Sequence, residues 1–278
     1  MKTLKGVKAE QKQVVEIRGL VEVYEDMAAK RMQEIRAKIV SARSYYDGLR
    51  ELLLQVGADV GEEAVAGSEA LVWISADSNL FGEIIIQTRE KFLTELKNNP
   101  QDDVWVVGKL GAQMMNQYMP NRQYFTIDLP DESMQKVSIE ELALKLKDYQ
   151  KIKVIYGVFE NIVHQESVER EIVGMGWSMY QVETHEMMAR RRKFLYEPSY
   201  KEVAQVFGGR VMTGVMRQMV VEAELSKFAS RIMHLDQAMD NIDESLGLLK
   251  RAERKIKGRN MEKKQHNMIS GMLLREGR

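Results

Sequence analysis

Apolar residues recur at intervals of seven near the start of the chain: Val7, Val14, Val21, Ala28, Ile35, Ala42 and Leu49. A second apolar position holds Ile17 and Tyr24, then drifts by one to Met32, Ile39, Tyr46 and Leu53. The pattern predicts one helix of about 50 residues with an apolar stripe, and a seven-residue repeat favours left-handed supercoiling. At ~1.5 Å per residue such a helix is about 75 Å long, far more than a compact domain buries. A matching seam runs near the other end through Leu225, Phe228, Ile232, Leu235, Met239, Ile242, Leu246 and Leu249. It then meets Glu253 and Ile256 and dissolves into charge.

The middle of the chain has another rhythm. "ALVWIS" from Ala70, "DVWVVG" from Asp103 and "IKVIYG" from Ile152 are short apolar, β-branched runs bounded by polar residues or glycine. Helical patterns at Leu80–Leu96 and Ser138–Tyr149 lie between them. Strand–helix alternation at this spacing predicts βαβ units and a mostly parallel sheet. The expected fold is therefore α/β: a long antiparallel coiled coil of N- and C-terminal helices plus a central Rossmann-like domain. The expected divisions are residues 1–56, 69–197 and 198–278, with the glycine-rich stretch Gly57–Ser68 as a linker and Pro198 at the exit. Because both helices leave one domain, their simplest pairing is with each other, seam against seam.

That pairing leaves about 30 residues beyond Leu249 without an intrachain partner. Lys250–Asn267 is too polar to bury and is followed by Met268, Ile269, Met272, Leu273 and Leu274. Two readings are open: a charged shank with an apolar tip that enters a socket in another protein, or a frayed tail.

Composition changes this picture mainly by exclusion. The 278 residues hold 41 basic and 41 acidic side chains, a neutral balance that supplies no overall electrostatic footprint for nucleic acid, although local patches remain open. No cysteine is present, which removes a disulfide scaffold, a thiol nucleophile and a cysteine zinc site, and suits a reducing compartment. No apolar run is long enough to span a membrane. The opening "MKTLKGVKAEQKQ" lacks the apolar core of a signal peptide, and Glu10 is unlike a transit peptide. All four prolines fall between residues 100 and 198, which leaves both flanks free to be long helices.

Candidate chemistry is sparse. "HEMMA" at His185 lacks the second histidine of a zinc helix, and His164 stands alone. Neither phosphate-loop fingerprint occurs. "SADSNLFGE" places Asp77, Ser78 and Asn79 before a helix, either as an anion-binding loop or with Asp77 or Ser78 as an N-cap. "GKLG" at Gly108 is either an anion site through Lys109 or a strand-to-helix turn. "FGGRVMTG" sits in a helical pattern and predicts a loosened helix or hinge, and "RRRK" (Arg190–Lys193) is a solvated basic run or a contact for an acidic partner. No catalytic constellation, metal site or cofactor site is expected.

Five motifs in order carry a resemblance over nearly the whole chain. Ser226, Ala229, Arg231, Asp236, Ala238 and Asn241 are similar, without a gap, to S-E-x-A-A-R-M-x-A-M-x-x-A-x-x-N of the F-type ATP synthase gamma subunits. "FLYEP" (Phe194–Pro198) resembles that family's Y-L-Y-E-P, and "VIYGVFENIVHQ" its strand followed by N-x-F-x-N-x-x-x-Q. "MAAKRM" (Met27–Met32) and "ARSY" (Ala42–Tyr45) fall where the family has V-A-A-x-K-M and S-R-P-Y.

The resemblance implies a central-stalk shaft that couples rotation to ATP synthesis or hydrolysis in a catalytic ring. Its implied partners are a hexameric ring of catalytic and non-catalytic ATPase subunits, a small epsilon-type stalk subunit and a membrane rotor ring. It also implies a peripheral place at the cytoplasmic face of a membrane. By resemblance, Arg259 and Asn260 grip an acidic loop of the ring, while Glu22 and Asp26 lie on the shaft beside its lever. The implied coiled-coil seam includes Val14, Val21, Ile35, Leu225, Ile232, Leu235, Ile242 and Leu249.

The departures are specific. Glu22 stands where the family carries lysine and Asp26 where it carries methionine, and "SADSNLFGE" replaces S-T-D-R-G-L-C-G-G. In the family this part of the shaft turns beside an acidic lever, so acid would face acid unless the partner ring is also altered. An alternative is a gamma-like shaft or coiled-coil adaptor of a specialised rotary ATPase that does not make ATP. A small-ligand enzyme built on the α/β domain is the third reading.

Overall fold

A computed structural model describes residues 3–56, 68–78, 81–128, 136–173, 197 and 200–276, and the side chains of these residues except 38–56, 136–138, 173, 200–209 and 271–276. Its elements run α1 (Leu4–Val56), β1 (Glu69–Ile74), α2 (Glu83–Asn98), β2 (Asp103–Val107), α3 (Lys109–Tyr118), β3 (Phe125–Ile127), α4 (Lys136–Leu146), β4 (Lys151–Phe159), β5 (Gln165–Val173) and α5 (Tyr200–Glu276). The chain forms two compact units, one of Met1–Ala28 with Ile232–Arg278 and one of Ala29–Arg231.

In the larger unit the sheet order is β3-β2-β1-β4-β5, parallel except that β5 runs antiparallel to β4. Successive side chains point to opposite faces of a strand, and this unit covers both faces. Ala70, Val72, Ile74, Trp105, Val107, Ile152, Val154 and Tyr156 pack against Ile139, Leu142 and Leu146 of α4 and Val215, Met216 and Met219 of α5. On the other face Trp73 stacks on Phe92 of α2, ring centroids 5.1 Å apart, and its indole N–H donates to the Thr88 hydroxyl at 3.2 Å. β1, β2 and β4 read as near-continuous apolar runs because water reaches neither side of them.

β5 has a different character. Its sequence QESVEREIV is mostly charged or polar, and it lies at the sheet edge, where charge discourages pairing with another chain. Glu169 on this strand is held above the ordinary carboxylate range, first by burial and then by the Glu95 charge, against the nearby Lys153. α5 runs on through Gly208, Gly209 and Gly214, the stretch whose glycines suggest a loosened helix or hinge.

In the smaller unit two helical segments lie antiparallel. Gln11 Nε2 donates to Glu253 Oε2 at 3.1 Å, and Arg18 Nε donates to Asp243 Oδ1 at 3.1 Å, so one number rises as the other falls. The segment of α1 turns Val7, Gln11, Val14, Arg18, Val21, Glu25 and Ala28 inward, buried or half-buried. Ile17 and Tyr24, the expected second seam position, are instead 50% and 43% exposed. Gln11, Arg18 and Glu25 take those places, and for Gln11 and Arg18 a hydrogen bond across the pair replaces apolar packing.

Candidate functional site

An open α/β sheet binds ligands in the crevice beyond the carboxyl ends of its strands, where the strand order reverses. Here that point lies between β1 and β4, since the chain moves from β1 outward through β2 and β3 and then returns to the other side of β1. Lys227 of α5, only 5% exposed, reaches in and its Nζ donates to the Ser75 carbonyl at 3.1 Å. Its ammonium lies 5.4 Å from the centre of the Phe81 ring, and Phe81 meets Phe228 edge to face at 5.5 Å. Arg231 also approaches the Phe81 ring, at 5.6 Å.

Ser226 of α5 is fully buried against β4. A Cβ on Gly157 would overlap the Ser226 hydroxyl and come within 2.6 Å of Ile84, so only glycine permits this approach. One residue earlier on β4, the hydroxyl of Tyr156 donates to the Glu222 carboxylate of α5 at 3.0 Å. Burial first, and then the Glu222 charge, pushes that phenol far above its usual range.

The second candidate anion site is occupied in the same way. Gly108, at φ 99°, caps α3, and a side chain there would strike the Ala76 carbonyl. The backbone N–H of Lys109 donates to Asp77 Oδ1 at 2.9 Å and that of Leu110 to the Ala76 carbonyl at 2.9 Å. The first two amides of α3, which would otherwise greet a phosphate, are thus bound by the chain's own oxygens. Asp77, just after β1, caps α3, which follows the neighbouring strand β2, whereas the cap of its own following helix α2 is Gly82, without a side-chain hydrogen bond. Among the described residues, no cluster of His, Asp or Glu side chains is arranged to hold a metal ion. His164 is exposed and lies 3.7 Å from Glu160.

The β4–β5 turn is clamped by side chains. Asn161 Oδ1 accepts from the backbone N–H groups of Val163 and His164, and Gln165 Nε2 donates to the carbonyls of Asn161 and Ile162. These are the Asn and Gln of the N-x-x-x-Q pattern.

The predicted contact residues fall as follows. Glu22, Asp26, Arg259 and Asn260 are exposed on the smaller unit. Val14, Val21, Ile232, Leu235, Ile242 and Leu249 are half-buried there, while Ile35 and Leu225 are buried in the larger unit. Met268 and Ile269 are 63% and 56% exposed. His185, Arg190–Lys193, Phe194–Tyr196, Asn79 and Leu80 lie outside the described residues, as do the side chains of Met272, Leu273 and Leu274. Sequence reasoning missed the buried Lys227; its only signal was a lysine where the S-E-x-A pattern has glutamate.

Residues 3–262 match the family described as ATP synthase. The chain belongs to the ATP synthase gamma family. The gamma chain of Halothermothrix orenii is 23% identical over 90% of this chain and 91% of its own length. That of Polynucleobacter asymbioticus is 20% identical over 98% and 99%. The fold is shared with a chain of the Euglena gracilis mitochondrial ATP synthase rotor, at TM-score 0.66 and 14% identity, covering 93% of this chain and 98% of that one. A chain of the Tetrahymena thermophila mitochondrial central stalk and c-ring gives TM-score 0.61 and 18% identity, covering 79% and 99%. Within this gamma-type central-stalk chain, three residues of the helix motif have these places: Ser226 lies against Gly157 of β4, Ala229 is buried, and Arg231 approaches the Phe81 ring. Among the described residues no helix is long and apolar enough to cross a membrane.

Proposed function

We propose that this chain turns as the shaft of an F-type ion-translocating ATPase, its two-helix unit inside a hexameric ring of catalytic and non-catalytic subunits. A shaft that contacts the ring subunits unequally favours a different ring conformation at each angle, and that difference in contact energy couples rotation to nucleotide affinity. ATP chemistry belongs to the ring; this chain contributes no catalytic residue and no cofactor. Its α/β unit meets a small epsilon-type stalk subunit and a membrane rotor ring, which makes it peripheral at the cytoplasmic face. Arg259 and Asn260 contact the ring, and Glu22 and Asp26 face its lever.

The family match across residues 3–262 carries this reading, because it spans both helices and the α/β unit together. The placement of Lys227 against the Ser75 carbonyl and the Phe81 ring supports it, since these side chains stand where a small-ligand enzyme of this sheet type would bind. Native mass spectrometry of the chain co-expressed with the ring subunits of its own genome tests it. One copy per hexamer, lost when residues after Lys250 are deleted, is the expected result; a free hexamer beside free chain overturns it. Glu22 and Asp26 favour a second reading, a shaft or adaptor of a specialised rotary ATPase not used for synthesis. A complex that hydrolyses ATP without turning a bead fixed to this chain would select the adaptor.

A further inference from the structure

Besides Val15 (55%), the smaller unit exposes a group of five large apolar side chains on α1: Ile17 (50%), Leu20 (61%), Val23 (56%), Tyr24 (43%) and Met27 (59%). At ~3.6 residues per turn they share one arc of about 120°, beside the arc that faces the other helix. A contiguous exposed apolar stripe of this kind marks an interaction surface.

Charge says what covers it. Residues 13–28 and 235–249 hold eight acidic side chains, Glu16, Glu22, Glu25, Asp26, Asp236, Asp240, Asp243 and Glu244, against one base, Arg18. That base is already engaged, by Glu22 at 2.8 Å and Asp243 at 3.1 Å. An acidic partner would set like charges against this band, and an anionic lipid surface would be repelled by it. The basic end of a second copy, residues 1–12 and 250–264, matches the charge, but among the described residues it exposes a single large apolar side chain, Met261.

We infer that the surface facing Ile17–Met27 is an apolar patch of a ring subunit rimmed with lysine or arginine. This rests on the shaft reading and names the chemistry of its contact. The apolar stripe supplies adhesion, and the acidic band sets register and speeds encounter.

Association of the chain with its own ring subunits, followed by stopped flow across a salt series, tests the assignment. The wild-type rate is expected to fall about tenfold between low and high salt, as screened attraction does. Glu22→Lys with Asp26→Lys, both at exposed positions, should slow low-salt association about tenfold, whereas Leu20→Ser with Met27→Ser should mainly speed dissociation. A photo-crosslinker in place of Val23 should label a ring segment rich in lysine or arginine. Equal association of wild type and the charge-reversed variant, or a crosslink to an acidic segment, overturns this inference and leaves the shaft intact. Failure of the wild-type chain to join the ring overturns the shaft reading, and this one with it.

Discussion

Gly157 sits where β4 and α5 leave no room for a methyl group, with Ser226 on one side and Ile84 on the other. Gly157→Ala should therefore cost about 1–3 kcal/mol, the usual penalty of overpacking, read as a lower denaturant midpoint with an unchanged slope. Ser226→Ala in the same chain should recover part of it, since the hydroxyl is the nearest obstacle. Asp77 makes a different kind of contact, a carboxylate accepting the Lys109 amide at the start of α3. Asp77→Ala removes that cap and should cost about 0.5–2 kcal/mol by the same measurement. If Asp77 were instead a ligand residue, its replacement would leave stability unchanged.

Between the two helical segments of the smaller unit, Glu253 makes the most informative contact. It accepts from Lys257 at 2.8 Å and from Gln11 at 3.1 Å, and those hydrogen bonds, Lys257 first, hold its carboxyl below the ordinary value of 4.5. A depressed acid stabilises the fold above its unfolded pKa and loses that contribution as pH falls through the folded one. Amide protection around Gln11, corrected for intrinsic exchange, should accordingly weaken below about pH 4.5, and Glu253→Gln should remove that dependence. The same contact explains where sequence reading stopped. Apolar identity pointed to Ile17 and Tyr24, yet the inward positions hold Gln11, Arg18 and Glu25; the partners of Gln11 and Arg18 lie more than two hundred residues away and leave no local signal. The apolar runs of β1, β2 and β4 were legible because burial on both faces leaves little that is polar in them. β5 was not, because a charged edge strand shows no apolar run. The cap by Asp77 and the reach of Lys227 likewise depend on residues distant in the chain.

At the scale of the whole chain, a net charge of zero conceals a strong segregation. Beside the acidic band, residues 1–12 and 250–264 hold twelve basic side chains and three acidic ones. With no net charge to keep copies apart, the basic end of one molecule can meet the acidic band of another. Sedimentation velocity of the isolated chain should show self-association at low salt that disappears by about 0.5 M, where the Debye length shrinks to a few ångströms. Glu22→Lys with Asp26→Lys should reduce it, because both substitutions weaken the band without touching the basic end. Association that persists or grows with salt would instead trace to the exposed stripe of Ile17, Leu20, Val23 and Met27, since apolar contact strengthens as salt is added while charge contact fades.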